Sequence, residues 1–281
     1  MLACATCLLG DPTITTMGTE KPFAGRMRVS AEYISRGEKI GQDGINENDI
    51  SEQRINYGFS YSLNKNWIFS ATVPVVNKSL DRFDMSHEQS GGVGDIDLNA
   101  RWFIGSGKGF VARYLWGVHF GATIPVTEEE KNDDDTAIDF DSQPGPGALV
   151  PSFGVWYGSY RMPWFLYTSA TYQHAVTEGH QGYQGGDAFL FSGLVQYAMA
   201  YKIALQLSLD NRFKIADKYD DEKDPNSGGL LTMLSPGIAW TPIDDLILNL
   251  KYQYPIYENV RGRQVEEANI RIGVTYDFSP D

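Results

Sequence analysis

Apolar and polar residues alternate along most of this chain, and this period of two is the feature that most limits how the chain can fold. The segment 54–63 has apolar residues at every odd position and polar residues or glycine between them. A period of two indicates a β-strand whose two faces meet different surroundings. A polar turn at 64–66 follows, and the alternation resumes over 67–75, which predicts a β-hairpin.

The pattern recurs twelve times, which predicts an all-β chain of twelve antiparallel strands. The stretch 110–124 keeps one register for fifteen residues, whereas an average soluble strand has about five or six. Predicted short turns lie at 64–66, 105–109, 160–163, 199–201 and 241–244, and predicted long loops at 36–49, 77–92, 126–148, 177–186, 216–229 and 258–266. An even strand number, with short turns at one end and long loops at the other, is typical of an outer-membrane barrel.

The alternative is a soluble β-sandwich or soluble barrel, in which the apolar face would form the core. Strand length opposes it, because many strands have the ten or so residues that a tilted strand needs to cross hydrocarbon. Aromatic placement also opposes it, because four tryptophans lie within three residues of a short turn, as an interfacial aromatic girdle requires. These are Trp67, Trp102, Trp164 and Trp240.

We therefore predict a twelve-stranded antiparallel transmembrane β-barrel in a bacterial outer membrane, in contact with lipid and lipopolysaccharide. Residues 24–281 form the barrel, and residues 1–23 form a segment that is periplasmic or inserted in the lumen. Trp67, Phe110, Trp116, Leu205, Leu248 and Ile272 are predicted to face lipid, and Arg28, Asp97, Arg113, Gln206 and Arg271 to face inward. Because no charged and then apolar leader is visible after Met1, we expect a mature form whose signal peptide has been removed.

The charge of the chain excludes nucleic acid as a partner. The chain has 23 basic and 36 acidic residues, a formal net charge of -13, and no concentrated basic surface. Acidic residues concentrate in the segment 128–141, with eight acids and one base. Such runs are usually solvated and mobile, so we expect a poorly ordered extracellular loop. Their spacing matches no calcium motif.

The sequence offers no catalytic or metal-binding pattern, so we expect neither an enzyme nor a cofactor. None of the four histidines stands beside a serine in the arrangement that outer-membrane hydrolases use, and the Asp95-x-Asp97 pair lacks an adjacent histidine. Cys4 and Cys7 form a C-x2-C without the second pair that a four-sulfur zinc site needs. A disulfide is the expected outcome in the periplasm, with lipidation of Cys4 or free thiols as alternatives.

Inward-facing residues define the candidate substrate path. The polar candidates are Arg28, Asp95, Asp97, Arg101, Arg113, His119, Arg212 and Arg271, and the apolar candidates are Leu115, Trp156, Phe165, Tyr167, Leu190 and Leu194. Charges of both signs favour ion pairs along the barrel over a selectivity ring. An apolar patch inside a charged lumen tends to mark a binding surface. It would receive either an apolar or aromatic substrate or the N-terminal segment 1–23.

The run Gly-Asp-Pro-Thr at 10–13, the entry into the first strand at 22–26 and the twelve strands carry a family resemblance. The chain resembles the outer-membrane transporters of the meta-pathway phenol-degradation (MetA-like) family of Gram-negative bacteria. The resemblance implies passive transport of small molecules of aromatic or apolar character, and it assigns no residue a role. The competing prediction is a structural or partner-docking barrel that transports nothing because its N-terminal segment plugs it.

Overall fold

Twelve long strands form one closed barrel. The computed structural model describes residues 24–41, 45–107, 113–132, 134–199, 202–262 and 264–278. The barrel strands are β1 (Met27–Ile40), β2 (Asn48–Asn64), β3 (Trp67–Asp81), β4 (Ile96–Ser106), β5 (Tyr114–Ile124), β6 (Val150–Arg161), β7 (Trp164–Gln173), β8 (Ala188–Ala198), β9 (Ile203–Lys214), β10 (Gly229–Trp240), β11 (Leu246–Val260) and β12 (Asn269–Phe278). None of the described helices is long and apolar enough to cross a membrane.

Each barrel strand pairs antiparallel with its neighbours in sequence, and β12 closes the barrel by pairing with β1. This closing register runs from the pair Met27–Phe278 to the pair Ser35–Ile270. Closure leaves no unpaired edge, which a strand-built membrane protein requires because lipid cannot hydrogen-bond to the backbone. The predicted all-β, twelve-stranded antiparallel barrel is confirmed.

The two faces of the strands are those that the alternation predicts. Trp116, Leu205 and Ile272 are exposed on the outer face, whereas Arg28, Gln206 and Arg271 are buried on the inner face. Trp67 stacks on Trp102 of the neighbouring strand with ring centroids 5.6 Å apart, and Leu248 shares the outer face of β11 with the exposed Leu250. Phe110 lies outside the described residues. The outer surface is therefore apolar, and such a surface belongs in hydrocarbon.

The short turns lie together at one end of the barrel, as predicted, but one strand begins later than predicted. The strand predicted over 110–124 begins at Tyr114, and Arg113 lies just before it as an exposed residue. Arg113 therefore lies at the turn end of the barrel, just before the strand, and its inward orientation stays a prediction.

Strand structure also occupies segments that were predicted as loops. β1 and β2 remain paired out to Ile40 and Asn48, and the short strands His87–Val93 and Gln264–Glu266 extend the wall by pairing with β3 and β1. The predicted loops 36–49, 77–92 and 258–266 are therefore largely strands, and that prediction is wrong. These extensions project beyond the apolar band, where the outer face meets water and no longer needs the apolar residues that reveal a strand.

Candidate functional site

Paired charges line one wall of the lumen, formed by β12, β1 and β2. Asp277 accepts hydrogen bonds from Arg26 and Arg28, and the Arg271 guanidinium lies 2.7 Å from a Glu32 carboxylate oxygen. Further out along the wall, Arg36 lies 3.4–3.8 Å from three carboxylates. These belong to Glu38, Glu52 and Glu266. The predicted ion pairs of mixed sign are therefore present, and Arg28 and Arg271 are both part of them.

An aromatic cluster occupies the wall formed by β4–β8, close to the short turns. The buried members are Phe103, Leu115, Trp156, Phe165, Tyr167 and Leu194. Phe103 meets the edge of Trp156 with ring centroids 4.7 Å apart, and Trp156 stacks on Tyr167 at 6.4 Å. The structure thus brings together five of the six apolar residues that the sequence predicts, whereas Leu190 lies outside this cluster and is half-buried.

Two predicted polar residues adjoin the aromatic cluster. The Arg101 guanidinium carbon lies 5.4 Å from the ring centroid of Trp156 and 6.0 Å from that of Tyr167, within the range of a cation–π interaction. His119 Nε2 lies 3.0 Å from Thr171 Oγ1. Sequence reasoning missed Phe103, although it shares the alternation of Arg101 and could have been found from that register.

The acidic segment after β5 folds into the mouth of the barrel at the end opposite the short turns. Its exposed part ends near Ala137, and beyond it a 3-10 helix, Phe140–Ser142, is buried. The Lys78 ammonium donates to the backbone carbonyl of Asp141 at 3.2 Å, and the Ser90 hydroxyl donates to that of Ser142. The prediction of a solvated, poorly ordered loop is therefore wrong for residues 138–141. These residues belong to a largely buried stretch, 138–148, which we call the inward segment.

Asp95 fixes both ends of this loop to the barrel wall. Its Oδ1 accepts hydrogen bonds from the backbone of Val126 and Thr127, each at 3.1 Å, and from the Thr127 hydroxyl at 2.7 Å. Its Oδ2 accepts from the backbone of Gly147 at 2.8 Å. Asp95 is only 6% exposed, so these donors have lost water and depend on its carboxylate.

Replacing Asp95 with alanine is expected to release the inward segment, because three backbone N–H groups lose a charged acceptor. Trypsin should then cleave after Lys131, the only basic residue between 126 and 149, about tenfold faster or more. The matched control is Asp97→Ala, since Asp97 accepts a hydrogen bond from the Thr123 hydroxyl of β5, within the barrel wall. Equal cleavage rates in the two variants would contradict this role of Asp95.

Three aromatic rings pack together, one from the inward segment and two from the loops that follow β7 and β9. Phe140 lies 4.3 Å from Tyr183 and 5.8 Å from Tyr219, measured between ring centroids. Burial raises the pKa of the Tyr219 hydroxyl, and the carboxylates of Asp141 and Asp217 raise it further. The hydroxyl is therefore neutral at physiological pH, and the ring cluster holds the inward segment against the loops that follow β7 and β9.

A cavity of about 120 Å³ lies between the inward segment and the barrel wall. Its charged lining residues are Arg54, Lys78, Asp95, Asp97, Asp141, Arg212 and Lys214. Its apolar lining includes Pro74, Phe140, Pro144, Ala148, Val150 and Ala188. Asp95, Asp97 and Arg212 are candidates from the sequence. No sequence pattern marked Phe140 or Asp141 as cavity residues, because both lie in the acidic run 128–141, which was predicted to be solvated.

The remaining chemical expectations concern metals and thiols. Within the described ranges, no group of three or more His, Cys, Asp or Glu side chains could hold a metal ion. Cys4 and Cys7, like the rest of the segment 1–23, lie outside the described residues. The disulfide, lipidation and plug hypotheses therefore stay predictions.

Comparison with solved structures supports the fold. No protein-family profile matches the chain, and no curated protein matches its sequence. The COG4313 outer membrane channel from Pseudomonas putida F1 is similar, with a TM-score of 0.75 and 11% identity over 94% of this chain and 100% of that chain. The translocator domain of the autotransporter NalP from Neisseria meningitidis gives a TM-score of 0.53 and 12% identity over 93% of this chain and 91% of that chain.

The NanC porin gives a TM-score of 0.52 and 11% identity over 89% of this chain and 98% of that chain. At these identities the likeness shows the fold alone. The chain has the fold of an outer-membrane β-barrel, and its apolar outer surface places it in the bacterial outer membrane.

Proposed function

We propose that this protein is an outer-membrane channel for small molecules with an apolar or aromatic body. The observation that carries the proposal is the cavity inside the barrel, whose lining combines apolar side chains with a few charged groups. Binding sites for small molecules have this composition, because apolar walls favour the body of the ligand and polar groups set its orientation. The similar structures named as a channel and a porin support transport over catalysis.

The aromatic cluster is the second part of the proposed path. It lies at the turn end of the lumen, while the cavity lies at the loop end, so a solute crossing the barrel would pass both. Rings and aliphatic side chains on this wall offer an apolar surface, and the opposite wall offers paired charges. The family resemblance to the phenol-degradation transporters agrees with an aromatic substrate and stays a prediction.

Replacing Phe165 and Tyr167 together with serine is expected to reduce the flux of small aromatic solutes through liposomes that contain the protein. Both side chains are buried in the aromatic cluster, and serine removes the apolar surface while widening the lumen. The flux of small ions should therefore persist or rise. The matched control replaces both residues with leucine, which keeps the wall apolar and should retain more of the aromatic flux.

Unchanged aromatic flux in the double serine variant would contradict the role of the cluster in the path, and absence of aromatic flux through the unaltered protein would favour the competing function. In that function the cluster receives the N-terminal segment 1–23, and the barrel serves as a structural or docking protein.

A further inference from the structure

Arg212 is a buried arginine that forms no ion pair within 4 Å among the residues that the structure describes. It lies on β9, lines the cavity and is only 7% exposed. Its register partners on the two neighbouring strands are Leu190 and Leu231, which are both apolar. Within the described part of the chain, its Nη1 atom has no hydrogen-bond partner. A buried charge without a partner is costly, so such groups usually have an ionic partner or a ligand.

The other basic residues of the cavity are already engaged. Arg54 donates to Glu52 at 2.8 Å, and Lys214 lies 2.6 Å from Asp217. Lys78 donates to the backbone of the inward segment, as described above. Two of the three acidic lining residues are engaged as well, since Asp95 anchors the loop and Asp97 accepts from Thr123. Arg212 therefore differs from the other basic groups of this cavity.

We propose that Arg212 binds the carboxylate of a small organic acid whose apolar or ring portion occupies the cavity. This inference rests on the proposed function and specifies the substrate class of that channel. The planar guanidinium matches a carboxylate through two parallel hydrogen bonds; Arg212 lines the cavity, and its Nη1 donates to no described residue. Arg54 and Lys214 already have carboxylate partners outside the lining, so Arg212 is the basic group that an incoming carboxylate would meet.

The size and lining of the cavity favour an organic acid over an inorganic anion. Pro74, Phe140, Pro144 and Ala188 present apolar surface that a hydrated inorganic anion would not use. An apolar cavity of roughly 150 Å³ holds benzene. The 120 Å³ available here is therefore of the order needed for one ring or a short aliphatic chain.

Benzoate and benzamide provide the test, because they have nearly the same shape and differ in charge. Calorimetric titration of the full chain in detergent should show benzoate binding about tenfold or more tightly than benzamide. Arg212→Gln should abolish this preference, and Arg212→Lys should keep part of it. The matched control is Arg113→Gln, which removes an exposed arginine at the turn end that does not line the cavity, and it should leave the preference unchanged.

Three results would overturn the proposal. The first is equal binding of benzoate and benzamide by the unaltered protein, which needs no variant to fold. The second is an undiminished preference in Arg212→Gln, and the third is inorganic phosphate displacing benzoate at equal concentration. Flux through liposomes distinguishes failure of the carboxylate site from failure of the proposed channel function. Passage of both compounds without any preference overturns the carboxylate site alone, whereas passage of neither overturns the channel.

Discussion

Replacing Asp277 with alanine is expected to lower the free energy of unfolding by about 3–5 kcal/mol, the usual effect of breaking a buried ion pair. The carboxylate is 2% exposed and accepts hydrogen bonds at 3.0–3.1 Å from both Arg26 and Arg28. Alanine would leave two guanidinium groups without this acceptor. Asp277 is also the register partner of Arg28 where β12 closes on β1, so the variant weakens the seam of the barrel.

Urea unfolding in lipid vesicles, followed by tryptophan fluorescence, measures this effect. The matched control is Asp244→Ala, which breaks an exposed pair in which Asp244 lies 2.6 Å from Lys202. Exposed ion pairs contribute little, so the control should unfold like the unaltered protein. Indistinguishable unfolding of both variants would mean that the Asp277 contacts do not hold the seam.

Excising the inward segment is expected to raise the single-channel conductance severalfold. The excision replaces residues 138–146, most of the inward segment, with a short glycine-serine linker and removes Phe140, Asp141, Pro144 and Pro146 from the cavity lining. Without these residues, the width of the barrel mouth is set by the barrel wall and no longer by the loop. Measurement in planar lipid bilayers should show the larger conductance with less dependence on the size of the ion.

Shortening only the exposed tip of the same loop, residues 131–136, is the control for this excision. Those of the tip residues that the structure describes are exposed and lie outside the cavity lining, so the conductance should not change. Equal conductance of the excised and the tip-shortened proteins would show that the inward segment does not restrict the pore.

The barrel could be predicted from the sequence because lipid imposes its pattern residue by residue. Alternation sets the face of each strand, and the position of Trp164 at a short turn then places Phe165 and Tyr167 inside, as the structure shows. Most of the aromatic cluster could therefore be predicted from the sequence. The strand extensions could not be predicted, because their outer face meets water and has polar residues such as Lys39 and His87 in place of an apolar signal.

The cavity was less predictable because it depends on contacts between segments distant in sequence. Composition marks residues 128–141 as a solvated run, yet Asp95, some thirty residues earlier, binds both ends of this loop and directs it inward. Nothing local to Phe140 reveals that Tyr183 and Tyr219 will pack on its ring. Similarly, Arg212 was a candidate from its register, but its lack of a partner follows only from the positions of its neighbours.

The central claim is that this barrel contains a continuous path for small molecules. Single-channel recording from the purified full chain in planar lipid bilayers tests it most directly, with a chain lacking residues 1–23 recorded in parallel. We expect discrete, small conductance steps from the full chain. Conductance that appears only after residues 1–23 are removed would instead identify a plugged barrel, and folded protein that conducts in neither form would contradict a channel altogether.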